Sequence, residues 1–319
     1  MQQKTTGRSA LLKGLGVVVS IAITVAAVLV LFHALKKADF GKVLAVIKDT
    51  NPGLIALALL LVAISYLSLT FYDLFALRTI GRTDVPYLIA ALASFTSYPI
   101  AHGIGAVALI APLIRYRIYS HHGLSALDVV NISFLTGLTF WLGNLSALGL
   151  SVLWEPSSID MIDFLPTTDN RAAAVLLLAG VVCFLLWSWH STGRIGTARW
   201  AVRLPSGPMV LLQIGLGIVD LGAAALAMYV LIPADMNIGL FRAIAVFIAA
   251  ILLGFASHAP AGLGAFDATI LIGLGDQDRE KPLIAALLIF RFLYHLLPFV
   301  LALALFGTVE GWRSLRARV

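Results

Sequence analysis

The chain has 319 residues, 60% of them hydrophobic and 12% charged, with a formal net charge of +6 and a mean hydropathy of +0.98. Soluble domains carry roughly 25% charged residues, so this composition excludes a soluble enzyme or binding module and indicates a polytopic membrane protein. The basic excess has no soluble domain to sit on, which argues against nucleic-acid binding and fits the topology signals of membrane loops. The single cysteine, Cys183, excludes an intrachain disulfide.

Lys4, Arg8 and Lys13 precede an apolar run from Gly14 to about Leu35. The run is long for a signal peptide and no A-x-A-like cleavage site follows, so it reads as a retained first helix with a cytoplasmic N-terminus. Lys36 to Asn51 is too polar to span. Phe40, Val43, Leu44 and Ile47 fall at helical spacing there, which predicts a short interfacial helix. Pro52 opens a second spanning helix, Gly53 to Leu77, that ends near Arg78 and Arg82.

The next apolar region, Val85 to Ile114, decides the topology. As a single crossing it would put Arg115 and Arg117 outside and the acidic loop Glu155 to Asp169 inside. As a broken hairpin that returns to its starting side, it keeps both arginines in the cytoplasm, as the positive-inside bias requires. From there Leu127 to Leu153 runs outward, Ala172 to Trp189 inward and Met209 to Ile232 outward. Leu240 to Gly275 forms a second broken hairpin. Pro282 to Phe306 returns to a cytoplasmic end carrying Arg313, Arg316 and Arg318. Lys36, Lys37, Lys42 and Lys48 run against the charge rule. The expected fold is an all-α, polytopic inner-membrane bundle, one transmembrane domain over residues 1–319. It has about seven full helices plus broken hairpins at about 85–114 and 240–275.

Each hairpin region is punctuated in a way a plain spanning helix is not. The first carries Pro99, Gly103, Gly105 and Pro112; both carry Gly-x-Gly-Ala, at Gly103 to Ala106 and Gly262 to Ala265. Proline removes a backbone donor, and freed backbone groups survive at membrane depth only where protein or a wet cavity covers them. Two interrupted segments in corresponding halves mark the binding site of a transporter. Each is followed by one spanning helix, and the two start from opposite faces, which is the pattern of an inverted repeat.

These residues also carry a resemblance. Ala101-His102-Gly103-Ile104-Gly105, Arg115 to Ser120, Gly123-Leu124-Ser125 and Leu138 to Gly143 resemble the membrane half of the bacterial lysylphosphatidylglycerol synthetase/flippase family. Ser257 to Phe266 is similar to that family's Ser-His-x-Pro-x-Gly-x-Gly-x-Phe pattern. The resemblance covers most of the chain. It implies the lipid-translocating part in a stand-alone form. The further helices and the soluble domain that transfers an aminoacyl group from tRNA to phosphatidylglycerol are not among the 319 residues.

The candidate substrate-binding residues are Arg115, Arg117, His102, Asp220, His258, Asp267, Arg291 and His295. A charge at the bilayer centre costs at least ~2.5 kcal/mol, so each needs a partner or a task. Arg115 suits a lipid phosphate, because its planar fork bonds bidentately, and the resemblance adds to that reading. Arg117, at i+2, points elsewhere. Asp220 and Arg291 are read either as lining the headgroup path or as a structural pair. His295 lies four residues after Arg291, on one helical face. His102 and His258 flank the breaks and either contact the headgroup or satisfy freed carbonyls. Asp73 and Asp128 read as interfacial. Trp141, Trp154, Trp187 and Trp189 read as an aromatic belt, and Asn131 and Asn144 as bridges between helices.

No Cys/His cluster has metal spacing and no Gly-x-Gly follows a strand, so no metal, cofactor or catalytic constellation is expected. The expected function is translocation of an anionic or aminoacylated phospholipid between leaflets of the cytoplasmic membrane. The alternative is a membrane-embedded subunit or enzyme of phospholipid modification. The expected partners are the membrane, a headgroup of phosphatidylglycerol or its aminoacyl derivative, and, left open, a second copy of the chain.

Overall fold

The computed structural model describes Val25 and residues 47–160, 166–190, 194–197, 200–275 and 280–316. The expected first helix, 14–35, and most of the interfacial helix, 36–51, lie outside these residues. Asn51 starts helix α1 (Pro52–Thr79): its side chain accepts from Gly53 N at 2.8 Å, and Pro52 fills the first helical position. Then come α2 (Tyr87–Ile104), α3 (Val107–Tyr119) and α4 (Ala126–Trp154). Ser125 and Asp128 open α4 with a reciprocal capping box, consistent with the interfacial reading of Asp128. Helix α5 (Thr167–His190) leads to an antiparallel ribbon, β1 (Arg194–Thr197) and β2 (Trp200–Arg203), which the sequence reading did not anticipate. The chain continues as α6 (Gly207–Tyr229), α7 (Leu240–Ala256), α8 (Ala265–Leu274) and α9 (Glu280–Phe290). A π turn (Arg291–Leu296) joins α9 to α10 (Leu297–Arg316).

The protein is an all-α polytopic bundle. Among the described residues five segments are long and apolar enough to cross a membrane: Pro52–Thr79, Ala126–Trp154, Thr167–His190, Gly207–Tyr229 and Lys281–Arg313. These match five of the expected spans. Helices α1, α4 and α6 form the centre, and a Cβ on Gly143 of α4 would stand 2.5 Å from Gly217 Cα of α6, so the two backbones touch.

Both broken segments fold as helix pairs. The first is α2–α3. Pro99 and Pro112 stay inside their helices; the break falls at Gly105, which closes α2 in the left-handed region at φ +83°. The hairpin runs to Tyr119, five residues beyond the expected end. The second is α7–α8, whose tip holds His258, Ala261, Gly262 and Gly264 at positive φ.

The base of each hairpin is tied by an arginine. Arg82 donates to His122 O (2.7 Å) and Gly123 O (3.3 Å), joining the start of the first hairpin to its end. Arg242 donates twice to Gly273 O (3.1 and 2.9 Å), joining the start of the second to its end. Helix α4 runs from one base to the other. It begins beside Gly123, and its last residue, Trp154, packs on Phe241 of α7 with ring centroids 5.1 Å apart. Its 29 residues measure ~43 Å at 1.5 Å each, more than a hydrocarbon core of about 30 Å. Helix α10 ends at the first base, where Arg117 donates to Glu310 at 2.7 Å. The tips meet between the bases: a Cβ on Gly105 would lie 2.9 Å from both His258 O and Pro260 N.

Candidate lipid site

Among the described residues, three polar clusters lie inside the bundle. The first surrounds a cavity of about 440 Å³ walled by α1, α2, α3 and α4, with Phe255 of α7 also in its lining. Arg115 of α3 forms part of its lining. Its Nε reaches both oxygens of Asp73 (3.1 and 3.0 Å) and its Nη2 reaches Oδ1 at 2.8 Å, while Tyr119 donates to Oδ2 at 2.7 Å. Both side chains are buried, at 7% and 0% exposure. Nη1 of Arg115 has no hydrogen bond to the described residues. Ser94, Tyr98, Thr136 and Ser133 add hydroxyls, the last without a partner among the described residues. On one side the lining is exposed: Ala108 on α3, and Val130, Phe134 and Trp141 on α4 at 45%, 50% and 47%. The cavity therefore opens sideways along the α3–α4 seam, onto an apolar flank that includes Leu109 and Leu113.

The second cluster lies where the hairpin tips meet. Arg291, in the π turn, donates to Asp267 of α8 through Nε (2.6 Å) and Nη2 (2.7 Å). Its guanidinium stands 5.7 Å from the Phe266 ring centroid. Asp267 also accepts from Gly264 N at 3.2 Å, so the ion pair doubles as the cap of α8. His295 packs against Phe266 and lies 5.4 Å from His102, which stacks on Tyr98. His258, at φ +52°, is exposed and bonds Ala256 O. The π turn fits this place: such bulges are frequent at functional sites.

The third cluster is Asp220, buried in α6. Ser65 donates to its Oδ1 (2.5 Å) and Tyr72 to its Oδ2 (2.8 Å).

The structure corrects three expectations. Asp220 and Arg291 do not pair: Arg291 takes Asp267, and Asp220 takes hydroxyls from α1. Asp73 is not interfacial but a buried partner of Arg115, placed six residues before the end of α1. An acid that far inside an apolar helix needs a counter-charge, and this was the overlooked signal. Asn144 does not bridge helices but donates to Phe140 O of its own helix, and its Oδ1, like that of Asn131, has no partner among the described residues. Trp141, Trp154, Trp187 and Trp189 are all exposed; Trp154, Trp187 and Trp189 lie at helix ends, whereas Trp141 lies midway along α4 in the cavity lining, away from a belt. His102, Asp267, Arg291 and His295 come together; Arg115 and Asp220 stand in the two other clusters. Arg117 belongs to the first base. There His121, after α3, is held below the ordinary imidazole range by burial and by nearby Arg313 and Arg117.

No protein-family model matches the chain. An uncharacterized protein of Synechocystis is 27% identical over 273 residues, 86% of this chain and 83% of that protein. The inner membrane protein YbhN of Escherichia coli is 27% identical over 303 residues, 92% of either chain. A phosphatidylglycerol lysyltransferase of Staphylococcus haemolyticus is 25% identical over 316 residues, 97% of this chain but 36% of that protein. The chain thus spans about a third of the lysyltransferase's length. The chain is a homologue of YbhN and of the phosphatidylglycerol lysyltransferases, a multi-pass membrane protein related to the membrane half of the latter.

Proposed function

We propose that the chain moves a phospholipid, anionic or aminoacylated, between the leaflets of the bacterial cytoplasmic membrane. The observation that carries this reading is the sideways-opening cavity with a buried arginine in its lining. A lipid crossing a bilayer needs a polar enclosure for its headgroup and an apolar flank for its chains; the cavity and the α3–α4 seam offer both. Arg115, fixed through Nε and Nη2, presents Nη1 to a phosphate. Arg291, Asp267, His102, His258 and His295 serve the headgroup where the tips meet. The two hairpins act as an inverted repeat within one transmembrane domain, rocking to expose the cavity to either side. Both chain ends lie in the cytoplasm.

The test is lipid analysis of a strain lacking the protein. Unchanged lipid totals with an altered leaflet distribution are expected. The lysyltransferase relatives favour one other reading, a membrane-embedded subunit of a lipid-modifying enzyme; a missing lipid species would establish it instead. For topology, a cysteine introduced by Ser120→Cys should resist an impermeant reagent added from outside, and labelling from that side would reverse the orientation.

A further inference from the structure

Of the three intramembrane acids among the described residues, two are neutralised by arginine, Asp73 by Arg115 and Asp267 by Arg291. Asp220 is 2% exposed and has no cation within ion-pair distance among the described residues. An unpaired charge at membrane depth is costly, so the carboxylate needs a proton whenever water does not reach it. The titratable groups facing it are Tyr66 and Tyr72 of α1, Tyr98 of α2 and Tyr294 of the π turn. Among the described residues, the other helices packed on α6 bring it no charge. On α4, Asp128 caps the helix start; on α5, Asp169, Arg171 and His190 sit near the ends; on α7, Arg242 holds Gly273 O; on α9, Glu280 and Lys281 begin the helix.

We infer that Asp220 is a proton-binding site, and that the transport reading above, on which this inference rests, is that of a proton-coupled lipid carrier. The geometry accommodates both protonation states. Ionised, the carboxylate accepts from Ser65 and Tyr72. When a proton binds, Asp220 O–H donates to Ser65 Oγ, and the Ser65 hydrogen turns to Tyr294 Oη, 3.4 Å away. Each hydroxyl keeps a partner, and release of the proton restores the first arrangement. The site touches both moving parts. Tyr72 is part of the lining of the lipid cavity, while Tyr294 sits in the π turn with Arg291 and His295 and accepts Tyr66 O–H at its carbonyl (2.9 Å). A change at Asp220 is therefore felt at the cavity wall and at the tip cluster together.

The experiment uses the full chain in phosphatidylethanolamine/phosphatidylglycerol vesicles with an entrapped pH dye. A tail-labelled phosphatidylglycerol, quenched from outside by an impermeant reductant, reports the leaflet. An imposed pH gradient should accumulate the probe in one leaflet, up to about tenfold per pH unit for one proton per lipid, and reversing the gradient should reverse the accumulation. Asp220→Asn should abolish both accumulation and lipid-dependent proton flux, and Asp220→Glu should restore them. Tyr72→Phe keeps the ring and removes the hydroxyl; it should slow both fluxes several-fold, and it carries the test if Asp220→Asn does not fold. Probe that moves in wild type but equilibrates evenly under a gradient overturns the inference and leaves the transport reading standing. Accumulation by Asp220→Asn, or at an unaltered rate by Tyr72→Phe, also overturns it. Absence of probe movement under every condition refutes the transport reading and this inference together.

Discussion

The two hairpins solve one problem with different rigour. Each places an arginine on an aspartate by a two-point contact. In the first hairpin the acid comes from another helix, α1, and both groups are sealed, at 7% and 0% exposure. In the second the acid lies in the hairpin itself, caps its own helix, and both groups remain partly open, at 16% and 29%. Sealed pairs fix a wall, because losing one partner strands a charge without water. Open pairs can part more readily, so under the transport proposed above the second is the one expected to exchange partners with a headgroup.

The largest expected effect follows from the sealed pair. Asp73→Ala leaves Arg115 buried and alone and should cost about 3–5 kcal/mol, read by thermal unfolding in detergent. Asp73→Asn combined with Arg115→Met should recover most of that stability while lipid movement stays lost. Next comes the point where the hairpins meet. Gly105→Ala puts a side chain at φ +83° and 2.9 Å from His258 O, which should cost roughly 1–2 kcal/mol for the backbone conformation alone and part the tips. A disulfide cross-link engineered between residues 104 and 259 should then form more slowly.

The open pair should behave differently. Arg291→Leu should destabilise less than Asp73→Ala, since its pair is less deeply enclosed, yet should abolish lipid movement in vesicles. Arg291→Lys should keep the charge and impair movement. If Arg291→Leu destabilises as strongly as Asp73→Ala, and Asp267→Asn with Arg291→Gln restores both folding and transport, the contrast between the hairpins collapses.

The smallest effect is expected in the loop before α2. Hydrogen bonds from Arg82 hold the Asp84 carboxyl down at about 2. The folded value is depressed, so the stabilisation is present above the ordinary carboxylate value of about 4 and is lost as pH falls from there through about 2. A titration of the Asp84 side-chain carbon by NMR should show its midpoint well below that of a free aspartate.

The sequence announced what is local. Gly105 and the glycines of the second tip mark backbone turns that other residues adopt poorly, and charge counting across loops sufficed to read Val85 to Ile114 as a returning hairpin. What it concealed depends on how helices are rotated against one another. Asp220 and Arg291 were natural partners on charge alone, but the rotation of α6 turns Asp220 to Ser65 and Tyr72. Arg82 looked like an ordinary boundary cation and Arg242 drew no reading at all; nothing in their neighbours reveals carbonyls 40 and 31 residues away. Asp73 was legible in principle, by its depth in α1.

The arginine ties at the bases have a mechanical consequence. A hairpin whose two legs are riveted together at one end and meet the opposite hairpin by backbone contact at the other is a cantilever. It cannot splay, so any motion is a swing about the rivet, and displacement grows with distance from it. The 18 residues of α2 make an arm of ~27 Å, so a tilt of about ten degrees carries its free end by about 5 Å, nearly one helical turn. The largest travel thus falls at Gly105 and the residues facing it, midway along the bundle, while the loops at either surface barely shift.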